Sequence, residues 1–236
     1  MLNLCQFTLN GDRSFTGKEG LQIQTIVDKQ TVTCLKHPLV WDLVRRLRDQ
    51  STPPADFRAA IRMLSLFLFY EATQDLDTET VEVQTPLAVT TGIEIKKRVG
   101  LIPILRAGLG MTESIHQVIP EAEVWHLGLY RDEETVEAIS YYSKLSAADP
   151  VEVAFVLDPM IATGGTLIRT VGMLKEWGVD QINILSVIAS EEGIENVHGV
   201  FPDTKIYVTA IDPDLNAQSF IVPGLGDAGD RQFGTG

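Results

Sequence analysis

What most constrains this chain is a rhythm of short apolar runs: Val99 to Leu105, Val124 to Tyr130, Val153 to Leu157, Ile182 to Ala189 and Ile206 to Ile211. Runs this apolar and rich in β-branched residues read as strands covered on both faces, because a half-exposed strand alternates apolar with polar positions. Amphipathic helical stretches fill most of the intervals between them, and strand alternating with helix builds a parallel sheet flanked by helices. The expectation is one α/β domain from about residue 70 onward, preceded by helices. A chain of 236 residues, 44% of them hydrophobic, is large enough to bury that core without staples.

Ahead of the sheet, Pro38 opens a helical pattern that puts Leu39, Leu43, Val44 and Leu47 on one face, and Pro53-Pro54 starts a second helix running to about Glu71. Residues 79–95 alternate as a β-hairpin does, with Val81, Val83 and a turn signal at Thr91-Gly92. Residues 1–36 form an N-terminal extension of unclear role; turn signals at Asn10-Gly11 and Thr16-Gly17 suggest a short strand or hairpin there. The remainder, 37–236, reads as a single domain.

Charge and cysteine usage narrow the partners. A net charge of -13, from 32 acids against 19 bases, disfavours sequence-independent attraction to nucleic acid. Cys5 and Cys34 lack metal-ligand or redox spacing and read as bystanders in a reducing compartment. The N-terminus lacks the charged and apolar regions of a signal peptide, and the strongest apolar run, Leu64 to Tyr70, falls far short of the roughly 20 residues needed to span a bilayer. A soluble, cytoplasmic protein with no membrane or nucleic-acid partner is expected.

The most informative segment is Val151 to Trp177, where a buried-strand run ends in Asp158 and passes through Pro159-Met160-Ile161-Ala162-Thr163-Gly164-Gly165-Thr166 into a helical pattern. Gly164 and Gly165 let several backbone N–H groups approach one anion, and the positive end of the following helix adds to their field. Thr163 and Thr166 add hydroxyl donors, which suits a terminal phosphate monoester. Asp158 stands at the carboxyl end of a strand, where open α/β sheets place ligands, and accepts hydrogen bonds from sugar hydroxyls there. No Gly-Lys-Ser/Thr follows the glycines, which argues against a nucleotide-triphosphate P-loop. Taken alone, the segment reads equally as a tight connection with Asp158 as a turn residue and Thr166 as an N-cap.

Together with other stretches it resembles a known family. DPMIATGGT is similar to the phosphoribosyl pyrophosphate (PRPP) signature of type I phosphoribosyltransferases, and the Asp158-Pro159 pair resembles the uracil phosphoribosyltransferases in particular, where proline replaces the second of two adjacent acids. The likeness extends through VGLIPILRAGLGM at 99–111, GLYRDEETVE at 128–137 and FIVPGLGDAGDRQFGTG at 220–236, with HPLV at 37–40 and YEAT at 70–73. It covers about residues 37–236 and implies the type I phosphoribosyltransferase fold, with a β-hairpin flap over the reactants, and the transfer of a 5-phosphoribosyl group from PRPP to uracil, giving UMP and pyrophosphate.

Residue roles follow from the resemblance. It implies PRPP binding by Arg106, Arg131, Asp158, Pro159, Met160, Ile161, Ala162, Thr163, Gly164, Gly165, Thr166 and Asp227, and uracil binding by Ile221, Gly226, Asp227 and Ala228. Arg131, Asp158 and Asp227 are the candidate catalytic residues. Pro103 to Gly110 also follows a strand and opens a helix, so it forms a second anion-binding turn, which the family uses for pyrophosphate; alone it would read as a glycine-softened turn with a surface arginine. Arg131 begins an acid-rich stretch that in the family is a mobile flap over the reactants, whose closure would exclude water. Without the family, that stretch is a solvated loop. The glycine-rich segment from Pro223 to Asp230 offers backbone groups that match the carbonyls and N–H of uracil without a charged side chain. Asp227 is a candidate to receive the N1 proton or to orient a metal-bound water.

Mg²⁺ is implied as cofactor because PRPP carries clustered phosphate charge, with the ion held mainly through PRPP and water and by no protein cage. His37, His116, His126 and His198 are scattered and read as structural. The resemblance also implies a homodimer or higher homo-oligomer and, in some members, activation by GTP. This sequence departs from the family pattern at Ser140, Ser190-Glu191, Pro213-Asp214 and Arg231, none of them a matched substrate residue. Two other readings compete, an RNA-binding regulator on the same fold and a silent scaffold. The -13 charge disfavours the first, and the retention of Arg106, Arg131, Asp158 and Asp227 disfavours the second. Transfer to a different base is opposed only by the C-terminal match.

Overall fold

The computed structural model describes residues 31–131, 138–143, 145 and 149–235. Strand β1 (Val32–Cys34) precedes helices α1 (Pro38–Arg48) and α2 (Pro54–Ala72), a hairpin of β2 (Thr78–Gln84) and β3 (Val89–Ile95), then β4 (Val99–Leu105) and α3 (Leu109–Val118). Next come β5 (Glu123–Val124), β6 (Leu127–Arg131), β7 (Ala138–Ser143), β8 (Val153–Leu157), β9 (Met160–Ile161) and α4 (Gly165–Trp177). The chain continues with β10 (Gln181–Ser190), α5 (Glu191–Val200), β11 (Lys205–Asp212), β12 (Asp214–Leu215), β13 (Ile221–Val222) and α6 (Ala228–Phe233).

The main sheet runs β1-β11-β10-β8-β4-β6-β7, parallel throughout except that β7 returns antiparallel to β6. Its central strands bury every residue of β8 and nearly all of β4, as continuous apolar runs require when both faces are covered. Successive residues of β8 serve opposite layers. Phe155 packs with Leu47, Phe57 and Leu64 of α1 and α2 and with Met111 of α3, whereas Val156 packs with Val171 and Leu174 of α4 and Val197 of α5. Phe155 also meets Phe69 edge-to-face, with ring centroids 4.9 Å apart.

Both early helices start at proline, whose missing N–H costs nothing in a first turn. The His37 Nδ1 accepts the Leu39 N–H and caps α1. Basic residues Arg45, Arg46 and Arg48 fall in the last turn of α1, where the helix dipole favours cations.

The structure corrects two local expectations. The hairpin of residues 79–95 is present, but its turn lies at Thr85–Ala88, where the Thr85 hydroxyl accepts from the Leu87 and Ala88 N–H groups; Gly92 sits inside β3 opposite Val81. The run Val124 to Tyr130 is divided into β5 and β6, which pair with successive parts of β4. The break falls at residues 125–126: the Trp125 N–H still donates to the Leu101 carbonyl, while its indole packs edge-on against Trp177, centroids 5.1 Å apart, and donates to Glu123. Residues 32–34 join the sheet edge in parallel with β11, while Asn10-Gly11 and Thr16-Gly17 lie outside the described residues.

This layering predicts that Phe155→Ala, at a side chain with 0% exposure, costs about 3–5 kcal/mol. In thermal unfolding each kcal/mol lowers the melting temperature by roughly 2–4 °C for a chain of this size. Val118→Ala, at 64% exposure at the end of α3, leaves it nearly unchanged.

Candidate active site

The carboxyl ends of β4 and β8 lie side by side, since Pro103 pairs with Leu157. Each strand ends in a turn that opens a helix, α3 after β4 and α4 after β8. Gly108 brings the two turns together. A Cβ there would lie 2.3 Å from the Leu157 carbonyl oxygen and 2.7 Å from the Ile104 nitrogen, so only glycine admits this approach. Arg106, at the tip of the first turn and 60% exposed, follows a cis Leu105–Arg106 peptide bond.

The second turn is built to present N–H groups. Among the described residues, the backbone N–H groups of Thr163, Gly164, Gly165 and Thr166 have no hydrogen-bond partner. The loop carbonyls, by contrast, are held from behind by α5: Ser190 Oγ donates to the Ala162 carbonyl at 2.6 Å and Asn196 Nδ2 to the Thr163 carbonyl at 3.1 Å. Ser190 Oγ also accepts the Gly193 N–H and so caps α5. With its carbonyls turned away and a helix N-terminus behind it, the loop concentrates positive potential toward an anion. Gly164 has φ +80°, and a Cβ there would lie 2.7 Å from the Gly193 carbonyl oxygen.

Asp158 begins this turn. Its Oδ1 accepts the Met160 N–H at 3.3 Å, but burial dominates and pushes the carboxyl up to about 7. A largely buried acid this close to neutrality is poised to ionise when a ligand offers hydrogen-bond donors.

Helix α6 seats against the first turn. Arg106 Nη2 pairs with Asp230 Oδ1 at 3.3 Å, and the fully buried Gln232 donates through Nε2 to the Ala107 carbonyl at 3.1 Å. Asp227 caps α6, its Oδ1 accepting the Asp230 N–H at 2.9 Å. Around that cap, the N–H and C=O of Gly226 and the N–H groups of Asp227 and Ala228 have no partner among the described residues. Ile221 is buried in β13. The C-terminal segment is therefore fixed in place.

The residues picked from the sequence gather on this one edge. Arg106, Asp158 to Thr166 and Gly226 to Ala228 come together through the contacts above, and Ile221 lies at the base of the last segment. Arg131 ends β6, the strand beside β4, while Asp132 to Glu137 of the expected flap lie outside the described residues. Sequence reasoning missed Asn196, Gln232, Arg48 and the positional roles of Ser190 and Asp212. Ser190 and Asp212 are direct neighbours at the ends of β10 and β11. The N-cap signal of Ser190 before an acidic first turn was visible in the sequence; the other contacts span long separations with no local pattern.

A family model described as uracil phosphoribosyltransferase matches residues 34–235. A protein of Roseiflexus sp. (strain RS-1) named uracil phosphoribosyltransferase is 52% identical over 201 residues, covering 85% of this chain and 97% of that one. A protein of the same name from Thermoanaerobacter sp. (strain X514) is 44% identical over 207 residues, covering 87% and 99%. Among solved structures, the AQ2163 protein from Aquifex aeolicus superposes with a TM-score of 0.81 at 35% identity over 86% of this chain and 98% of that one. The adenine phosphoribosyl transferase from Trypanosoma brucei, solved with AMP, pyrophosphate and ribose-5-phosphate, has a TM-score of 0.54 at 12% identity, covering 80% and 87%, a likeness of fold alone.

The Asp158 environment makes a signed prediction. The folded protein holds this proton more tightly than the unfolded chain, where the ordinary value is 3.8, so the stability cost is absent well below that pH, grows as pH rises, and is complete above about 7. Asp158→Asn therefore raises the melting temperature of the ligand-free protein by several degrees more at pH 8 than at pH 5, at roughly 2–4 °C per kcal/mol. Scanning calorimetry at both values checks it; equal gains would contradict it.

Proposed function

The chain belongs to the uracil phosphoribosyltransferase family and is a pentosyltransferase, and we propose that the turns on its carboxyl edge carry out the transfer of the 5-phosphoribosyl group from PRPP to uracil. One observation carries the assignment of residues: two sets of unpaired backbone groups and the Asp230-paired guanidinium of Arg106 sit on one edge of one sheet, locked to each other through Gly108 and α6.

In this reading the N–H groups of Thr163 to Thr166 and the two threonine hydroxyls hold the 5-phosphate, and Asp158 accepts hydrogen bonds from the ribose hydroxyls. Arg106 exchanges Asp230 for pyrophosphate oxygens, for which its planar fork is suited. Arg131 is the second arginine, carried by the strand next to β4. Uracil needs donors for two carbonyls and an acceptor for N3–H. The free groups of Gly226, Asp227 and Ala228 supply both kinds, with Ile221 against the ring.

The bond from uracil N1 to ribose C1 forms as the bond from C1 to the pyrophosphate oxygen breaks. Pyrophosphate leaves with the electron pair, and the N1 proton passes to Asp227, whose Oδ1 is engaged by the helix cap while Oδ2 remains to accept it. Among the described residues no group of three or more His, Cys, Asp or Glu is placed to hold a metal; Asp158 and Asp227 are oxygen donors that would add to PRPP oxygens and water around Mg²⁺. Such an ion would supply charge neutralisation for the departing pyrophosphate.

We also infer a homodimer. Leu87, Val89 and Ile93 stand 96%, 56% and 74% exposed on the β2–β3 hairpin, an apolar surface of the kind that subunit contacts cover.

Pyrophosphate release, followed with PRPP and Mg²⁺ and each of uracil, cytosine, hypoxanthine and orotate, is expected with uracil alone. PRPP binding without turnover on any base would contradict the reading. Cytosine places an amine where uracil has O4 and is expected to be rejected by up to about 10⁴-fold, as sites built on hydrogen bonds permit. Arg106→Ala lowers kcat/KM by about 10²–10³, the scale of one lost transition-state donor. Asp227→Asn retains the α6 cap, since asparagine caps as well as aspartate, and so loses turnover without losing stability. Full turnover with an unchanged pH profile in that variant would remove Asp227 as the proton acceptor.

A further inference from the structure

The glycine-rich loop before α6 is held by a pair of charged residues remote in sequence. Gly224 donates its N–H to Asp212 Oδ2 at 3.0 Å and accepts at its carbonyl from Arg48 Nη1 at 2.9 Å. The same guanidinium grips Asp212 with both arms, Nη1 to Oδ2 at 2.8 Å and Nη2 to Oδ1 at 2.6 Å. Asp212 is buried at the carboxyl end of β11, and Arg48 lies in the last turn of α1. Both peptide groups of Gly224 are thereby consumed, while those at Gly226 and the N–H groups of Asp227 and Ala228 stay free.

A second clasp acts on the same loop. Arg231 donates to the Leu225 carbonyl at 2.7 Å, to the Asp49 carbonyl at 2.6 Å and to the Leu47 carbonyl, and it lies over the Phe57 ring with 4.4 Å to the centroid. The end of α1 is thus the anvil on which residues 224 and 225 are fixed. A planar, two-armed ion pair sets direction as well as distance, which a single contact does not.

We propose that Asp212, acting with Arg48, is the positioning residue that sets base specificity. It touches no substrate; it fixes Gly224 so that the free groups two to four residues later keep the spacing of a single pyrimidine edge. The inference rests on the reading of Gly226 to Ala228 as the uracil-binding segment. It separates the base loop from the two anion-binding turns, which rely on Gly108, Ser190 and Asn196 instead.

The test uses the full chain as wild type, Asp212→Asn, Arg48→Lys and the double variant. Arg48→Lys keeps the charge beside Asp212 but lacks the fork that reaches Gly224 as well, and it decides the matter should Asp212→Asn fail to fold. The expected result is a KM for uracil raised about 10- to 100-fold, the range for a lost hydrogen bond to a charged group. The ratio of the cytosine inhibition constant to the uracil KM narrows, and the PRPP dissociation constant by calorimetry stays within about twofold, as for an independent site. The double variant is no worse than the poorer single one, because the two residues act as a unit. Folded variants with wild-type uracil KM and cytosine inhibition would overturn the proposal. So would variants that lose PRPP affinity and kcat in step with uracil KM, the sign of general destabilisation. Wild-type turnover on uracil in the same assay reports separately on the underlying reading.

Discussion

The close approach of the β4–α3 turn to the end of β8 is the constraint on which the rest of this site depends. Parallel neighbours place their carboxyl ends together, but two helix-opening turns become one site only if their backbones touch. Gly108 permits that touch, with no room for a Cβ between the Leu157 carbonyl and the Ile104 nitrogen. Once the turns are together, Asp158 follows Leu157 directly, and α6 docks on the first turn through Gln232 and Asp230. One missing side chain therefore links the two strand-end turns to the loop before α6.

A site made mostly of backbone must also control which way each peptide faces, since a carbonyl turned inward would repel the anion that an N–H attracts. The protein meets this requirement from the adjacent ends of β10 and β11. Ser190, with Asn196, pulls back the carbonyls of Ala162 and Thr163; Asp212, with Arg48, fixes both groups of Gly224. Neighbouring strand ends thus orient two different loops, and preorganised dipoles of this kind act without reorganisation when charge develops. This also gives a physical place to the departures from the family pattern. Ser190 and Arg231 are structural contacts of the loops, and Asp212 precedes the Pro213-Asp214 change without being altered by it.

How much of this was legible beforehand depended on range. The apolar runs of β4 and β8 were read to the residue because both faces are buried, and α1 and α2 were read from their prolines. The Asp158 to Thr166 turn was legible because a strand, an acid, glycines and a helix follow in unbroken order. The hairpin turn was misplaced because glycine at 92 serves close packing against Val83, not a turn, while Thr85 makes the turn through its hydroxyl. The Arg48–Asp212 and Gln232–Ala107 contacts bridge separations of 164 and 125 residues and leave no local pattern to read. The segment 132–137, which the resemblance assigns to a flap, lies outside the described residues.

The central claim is spatial: one phosphate, one leaving group and one base occupy three turns on a single edge. A crystal structure of the protein with UMP and pyrophosphate tests it most directly. The account predicts the UMP phosphate on the N–H groups of Thr163 to Thr166, the uracil ring hydrogen-bonded to Gly226 and Ala228, and pyrophosphate at Arg106 with its Asp230 contact broken. A UMP phosphate seated on the Arg106 to Gly110 turn, or a ring held away from residues 226–228, would contradict it.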